Sequence, residues 1–160
     1  CGVCDGLTVF FALKAYKSKK INFKGYLYDS FGEMKEEYLD NKDKDQSGNY
    51  DYLNIEQTKK NLQMFEEDII FFKGYIPNVF KSGDHPNEIS WLHIDLNSSQ
   101  TTLETMEFFY SKIVENGIMI FDDYGMFETT KEVVDDFLKD KIGHFISYPT
   151  GQGMFIKKIN

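Results

Sequence analysis

The chain has 160 residues, of which 41% are hydrophobic and 16% aromatic, so it is long enough for one globular domain and too short for two. Its formal net charge of -8 disfavours nucleic acid as the principal partner, because phosphate backbones select basic surfaces. No apolar run in the sequence reaches the length that crosses a bilayer, so we expect a soluble, cytoplasmic protein with no membrane partner.

The chain opens on a residue pattern that normally follows a buried strand, with no initiator methionine and no secretory signal. We therefore expect a single domain over residues 1–160 that is truncated at its N-terminus. The two cysteines, Cys1 and Cys4, offer neither a disulfide framework nor a complete zinc site. A redox Cys-x-x-Cys site is a weaker alternative, because thioredoxin-like context is missing.

Helix and strand signals alternate along the chain. Apolar residues at helical spacing predict helices around residues 9–16, 55–65, 103–113 and 133–138. Short apolar runs predict strands at residues 25–29, 69–72, 89–95, 117–122, 144–148 and 154–158. This alternation predicts an α/β fold with a Rossmann-like, mostly parallel sheet and helices on both faces. The glycine-containing joint at residues 149–153 predicts a C-terminal antiparallel hairpin.

The segment at residues 33–54 is polar and charged, so we expect a mobile surface excursion. Part of it imitates a calcium-binding loop through Asp43, Asp45, Ser47, Gly48 and Asp51. The twelfth position of that loop is Asn54 instead of glutamate, which favours a solvated loop over a calcium site. Alternatively, Tyr50 and Tyr52 help to cover a substrate.

A glycine turn precedes the first predicted helix. Gly2 and Gly6 would let backbone amides approach a negatively charged ligand, although a simple tight turn explains the spacing equally well. Asp29 ends the next strand, at the place where a nucleotide-binding sheet puts an acid for ribose hydroxyls. An acidic strand end that faces water is the alternative interpretation.

Three further carboxylates follow two other strands. Asp95, Asp122 and Asp123 should meet at the same edge of the sheet as Asp29. Like charges so close together need a cation or a shared proton, and oxygen ligands favour magnesium, calcium or manganese over zinc. The alternative is that Asp122 or Asp123 caps the following segment and points to solvent.

Several short motifs together resemble class I S-adenosylmethionine-dependent methyltransferases, and most closely the group related to macrocin O-methyltransferase. They occur in a specific order at residues 1–6, 28–31, 73–74, 93–97, 117–125 and 149–153. The resemblance implies a methyltransferase acting on a small molecule, with a homo-oligomer left open. It implies cofactor contacts from Gly2, Val3, Gly6, Thr8, Asp29, Ser30, Phe31, Lys73, Gly74 and Asp95.

The resemblance also implies a Mg²⁺ ion, or another divalent cation, bound by Asp95, Asp122 and Asp123. Catechol-type enzymes carry a lysine three residues after the fourth-strand acid as a base, and here that position is Ser98. Asp95 and His93 are therefore the candidate catalytic residues, although His93 is more often a structural residue at such a strand edge.

Metal-assisted O-methylation of a small hydroxylated molecule, such as a sugar or a natural-product intermediate, is the leading hypothesis. A metal-independent O- or N-methyltransferase and a non-catalytic cofactor-binding scaffold remain as alternatives. A dinucleotide-dependent oxidoreductase is a weaker rival, because the glycine spacing of the first turn does not match its fingerprint.

Overall fold

The computed structural model describes residues 1–159. The α-helices in this part of the chain are α1 (Leu7–Ser18), α2 (Ile55–Asn61), α3 (Ser99–Phe109) and α4 (Glu128–Leu138). The strands are β1 (Gly25–Asp29), β2 (Ile69–Lys73), β3 (Ile89–Ile94), β4 (Ile113–Phe121), β5 (Gly143–Ser147) and β6 (Gly153–Lys157). No helix within residues 1–159 has the length and apolar character needed to cross a membrane.

The strands form a parallel-rich arrangement, as the sequence predicted. Strand β1 pairs in parallel with β2, and the remaining strands follow the order β3-β4-β6-β5. The β3–β4 pair is parallel, whereas β6 runs antiparallel to both β4 and β5. The predicted Rossmann-like class and the C-terminal hairpin are both confirmed.

The first two residues join the two groups of strands. The amide of Gly2 donates to the carbonyl of Tyr28 on β1 over 2.9 Å. On the other side, the nitrogen of Cys1 donates to the carbonyl of His93 over 2.7 Å, and Cys1 accepts from the amide of Asp95 over 3.1 Å. These bonds hold the C-terminal ends of β1 and β3 on either side of one short stretch of backbone. Below it, a cavity of 390 Å³ separates the two strands.

Two hydrophobic clusters support this edge. The larger lies between α3, α4 and the β3–β4 pair, and its fully buried members include Met106, Phe109 and Met119. The smaller lies under α1 and α2 and includes Leu62 and Phe65. Burial of such large side chains contributes about 1.5–3 kcal/mol each, so these clusters fix the strand ends that carry the polar residues.

The segment at residues 33–54 is tied to the domain, in contrast to the expected solvated excursion. Asp43 is only 5% exposed. Its carboxylate accepts from the amide and hydroxyl of Ser99 over 2.7 and 2.6 Å, and from the hydroxyl of Thr129 over 3.0 Å. These bonds connect the segment to the first turns of α3 and α4, so Asp43 anchors the segment. Its carboxylate is directed to these helices and not into the loop, where a calcium ligand would point.

Candidate active site

The glycine turn comes into close contact with the end of β3. Gly2 has φ +73°, and a Cβ built on it would lie 1.7 Å from the carbonyl oxygen of Asp95. Only glycine fits this position, because both the positive φ and the backbone approach exclude a side chain. Gly6, with φ +94°, forms the N-cap of α1. The turn is therefore held close to the polar end of β3.

Asp29 organises the same turn from the end of β1. One carboxylate oxygen accepts from the amides of Val3 and Cys4 over 2.6 and 2.9 Å, and the other accepts from the amide of Phe31 over 2.6 Å. These charge-assisted bonds fix the glycine turn and the turn after β1 in one arrangement. Asp29 also borders a cavity, towards which its carboxylate has remaining acceptor capacity.

This cavity measures about 200 Å³ and lies across the C-terminal ends of β1, β2 and β3. Such an edge is where open α/β sheets bind their ligands. The cavity is bordered by residues from the strand ends and by residues of the 33–54 segment, which forms its cover. Among the predicted cofactor residues, those that line it are Gly2, Asp29, Ser30, Gly74 and Asp95.

The other predicted cofactor residues lie elsewhere. Val3 and Thr8 border the cavity between β1 and β3. Gly6 packs against Leu62 at the start of α1. The side chain of Phe31 is buried beside Phe71, with ring centroids 5.9 Å apart.

Lys73, the last of the predicted cofactor residues, is exposed at the end of β2. Its neighbour Gly74 borders the cavity. A contact between Lys73 and a ligand would therefore have to come from the rim of the cavity and not from its wall.

Several lining residues were not among the predicted cofactor, metal or catalytic residues. Tyr38 and Tyr75 stack face to face, with ring centroids 4.5 Å apart, and Tyr50 borders the same cavity. Asn97 and Ser98 line it from the turn before α3. The sequence had already suggested Tyr50 as part of a substrate cover and had marked Ser98 as the position of the catechol-type lysine. It offered no signal for Tyr38 or Tyr75.

Part of the predicted acidic constellation comes together as a cluster. Donor atoms of His93, Asp95 and Asp122 all lie within 4.8 Å of one another. The Nε2 atom of His93 is 3.6 Å from Oδ1 of Asp122, and the amide of Gln152 donates to that same oxygen over 2.6 Å. Asp95 also lines the cavity, so the cluster adjoins the space that a ligand would occupy.

Asp123 faces a different neighbour. It is 6% exposed, and its carboxylate oxygens accept from the backbone amide of Asn97 over 2.9 Å and from the side-chain amide of Asn97 over 3.2 Å. The structure therefore places Asp123 in support of the turn after Asp95, while His93 occupies the third position of the cluster. The role of Asp123 as a direct metal ligand stays a prediction.

Burial and neighbouring charges shift the pKa values of two residues in the cluster. Burial, together with the negative charges of Asp122 and Asp123, raises the pKa of Asp95 to about 7. Burial lowers the pKa of His93 to about 4, although Asp122 opposes this. The imidazole of His93 is therefore neutral at pH 7, so it can serve as a metal ligand and its contact with Asp122 is not an ion pair.

The sheet, with a glycine turn and an acidic strand end beside a cavity, has the Rossmann-like fold of class I methyltransferases. The O-methyltransferase NovP has the same fold, with a TM-score of 0.83 and 19% identity over 99% of this chain and 70% of NovP. The calicheamicin methyltransferase CalS11 gives a TM-score of 0.69 with 14% identity over 97% of this chain and 69% of CalS11. A comparison with curated proteins finds no match.

Residues 1–150 match the family model of macrocin O-methyltransferase (TylF). The chain belongs to the macrocin O-methyltransferase family and is a methyltransferase. Membership of this family implies S-adenosylmethionine as the methyl donor.

Proposed function

We propose that this protein transfers the methyl group of S-adenosylmethionine to a hydroxyl of a small molecule, a sugar or natural-product intermediate, with help from a divalent cation. The observation that carries this proposal is the cluster of His93, Asp95 and Asp122 beside the cavity. NovP is an O-methyltransferase and CalS11 methylates in the calicheamicin system, which supports a hydroxylated small molecule as acceptor.

The cofactor would lie in the cavity of about 200 Å³ across the C-terminal ends of β1, β2 and β3. Gly2 lets its backbone approach the methionine part of the cofactor, and the carboxylate of Asp29, which already accepts three amide bonds, offers its one remaining acceptor site to a ribose hydroxyl. Asp95 borders the same space from the opposite strand, so the sulfonium end of the cofactor would lie near the acidic cluster. A sulfonium cation is favoured there by the nearby carboxylates.

The cluster fits a divalent cation. Its donor set consists of two carboxylates and one neutral imidazole, and the repulsion that raises the pKa of Asp95 would be relieved by a positive ion. We favour Mg²⁺, with Mn²⁺ as the closest substitute. When bound, the cation lowers the pKa of a coordinated substrate hydroxyl and holds its oxygen in place for attack on the methyl group.

The protein itself contributes positioning. Asp95 lies on the cavity wall, and His93 lies behind it on β3, where it approaches Asp122 rather than the open cavity. Of the two candidate catalytic residues, Asp95 is therefore the one that can reach a substrate hydroxyl directly. Holding the hydroxyl oxygen in line with the sulfonium methyl group turns the reaction into a direct displacement.

Calorimetric titration with S-adenosylhomocysteine, with and without Mg²⁺, separates the cofactor site from the metal site. We expect Asp29→Ala to weaken cofactor binding at least tenfold, because it removes the ribose acceptor and three bonds that fix the turns. Asp95→Asn should retain cofactor binding within a few-fold and lose the response to Mg²⁺. Thermal unfolding of both variants shows whether each is folded. Equal loss of cofactor binding in both variants would contradict two separate sites.

Removal of divalent cations tests the metal directly. We expect a chelator to lower the rate of methyl transfer by about a hundredfold and Mg²⁺ to restore it, since polarising the hydroxyl contributes several kcal/mol to transition-state stabilisation. Asp122→Asn should mimic the chelator, whereas Lys139→Gln, on the exposed end of α4, should behave as the unaltered chain. Full activity after chelation would favour a metal-independent O- or N-methyltransferase.

Cofactor binding without transfer to any acceptor would instead favour the scaffold alternative. A cytoplasmic location and a homo-oligomeric state stay predictions.

A further inference from the structure

Ser98 occupies a helix N-cap position without acting as a cap. It directly precedes α3 with extended backbone angles, φ -150° and ψ 126°, which is the geometry in which serine normally caps a helix. Its side chain makes no capping bond. Asp43 satisfies the first amide of the helix, because its carboxylate accepts from both the amide and the hydroxyl of Ser99. The amide that a serine N-cap normally serves lies two or three residues after the cap, and the hydroxyl of Ser98 makes no such bond.

This hydroxyl has no hydrogen-bond partner among the described residues, although Ser98 is only 1% exposed. An unpaired buried hydroxyl is costly, so its presence in a folded protein calls for an explanation. Ser98 lines the cavity together with Asp95 and Asn97. The other such hydroxyl in residues 1–159 is that of Thr130 on α4, which lines none of the cavities described above.

The turn that carries Ser98 is rigidly held. Asn97 has φ +50° and is fixed by two bonds to Asp123, and the hydroxyl of Tyr50 donates to its side-chain oxygen over 3.0 Å. Tyr50 itself has φ +67°, a conformation that a bulky residue keeps only when its surroundings impose it. Ser98 therefore stands at a fixed distance from Asp95, three residues earlier in the same turn.

We propose that Ser98 positions the acceptor by hydrogen-bonding a second hydroxyl group of the molecule whose first hydroxyl is methylated beside Asp95. This inference rests on the proposed function and specifies its substrate class as acceptors with at least two hydroxyl groups. A serine hydroxyl can both donate and accept, and rotation about its Cα–Cβ bond gives it several staggered orientations, from which a bound acceptor would select one. Because the hydroxyl of Ser98 breaks no bond within the protein, the free energy of the new hydrogen bond is not offset by the loss of an existing one.

Ser98→Ala tests this role, with Thr130→Val as the matched control that removes the other unpaired hydroxyl. Methyl transfer is measured to catechol and to methyl rhamnoside, and phenol serves as the probe with a single hydroxyl. We expect Ser98→Ala to lower kcat/KM for catechol and for methyl rhamnoside about tenfold, mainly through KM, and to lose the preference for catechol over phenol. Thr130→Val should leave kcat/KM and the preference for catechol over phenol unchanged. Neither variant should unfold at a lower temperature than the unaltered chain.

The outcomes separate the inference from the proposed function on which it rests. Unchanged kcat/KM in Ser98→Ala, with an active unaltered chain, would overturn the role of Ser98 alone. A weaker affinity for S-adenosylhomocysteine in Ser98→Ala would also overturn it, because the hydroxyl would then serve the cofactor. If the unaltered chain binds S-adenosylhomocysteine but methylates none of the three probes, acceptor O-methylation itself fails and the role of Ser98 fails with it.

Discussion

Gly2→Ala is expected to abolish measurable binding of S-adenosylhomocysteine and to lower the stability of the domain. The new methyl group would lie 1.7 Å from the carbonyl oxygen and 2.6 Å from the carbonyl carbon of Asp95, so backbone would have to move. The left-handed conformation alone costs a residue with a side chain about 1–2 kcal/mol. Since Cys1 and Gly2 bridge β1 and β3, the displacement would separate Asp29 from Asp95. Calorimetric titration and urea unfolding measure the two effects.

Gly32→Ala is the matched control for this substitution. Gly32 borders the same cavity, and a Cβ on it would meet no atom within 4 Å. We expect this variant to unfold at the same urea concentration as the unaltered chain. If Gly2→Ala bound S-adenosylhomocysteine as tightly as Gly32→Ala does, the close approach of the turn to β3 would have no part in cofactor binding.

Asp43→Ala is expected to lower the free energy of unfolding by about 3 kcal/mol and to weaken cofactor binding. The substitution leaves the amide and hydroxyl of Ser99 and the hydroxyl of Thr129 without their shared acceptor, and unsatisfied buried groups cost about 1–3 kcal/mol each. It also releases the 33–54 segment, which covers the cavity. Urea unfolding gives the stability change, and titration with S-adenosylhomocysteine gives the change in affinity.

Asp45→Ala provides the comparison, because Asp45 lies on the same segment but is exposed and contacts only its neighbour Gln46. This variant should match the unaltered chain in both measurements. Equal free energies of unfolding in the Asp43 and Asp45 variants would show that the bonds of Asp43 contribute nothing to stability. A stabilising effect of Ca²⁺ that disappears in both variants would instead support the calcium-loop interpretation.

The class of fold was accessible from local patterns. Alternating strand and helix signals are set by the spacing of apolar residues, and a parallel sheet gathers the C-terminal ends of its strands at one edge. Asp29, Asp95 and Asp122 were therefore expected to share an edge. Asp29 is the last residue of β1, and Asp95 and Asp122 directly follow β3 and β4. The predicted ends of elements were less accurate. The helix predicted around residues 103–113 begins at Ser99, and the strand predicted at residues 117–122 begins at Ile113.

The details of the site depended on contacts between distant parts of the chain. The sequence pattern treated Asp122 and Asp123 as an equivalent pair, but successive residues point in different directions, and Asp123 binds Asn97 while Asp122 approaches His93. Phe31 was predicted to contact the cofactor, and the structure adds that its large apolar side chain is buried in the cluster under α1. Its contact with the cofactor stays a prediction.

The sequence by itself determined the alternation of elements, the family and the strand-end acids, because these follow from local periodicity and from motif order. Only the tertiary structure decided that Asp43 anchors the cover, that His93 completes the acidic cluster and that the buried hydroxyl of Ser98, a cavity-lining residue, has no partner within residues 1–159. Each of these depends on which polar group takes a given hydrogen bond, and the partners of Asp43 are 56 and 86 residues away in the chain. Local patterns carry no record of such pairings.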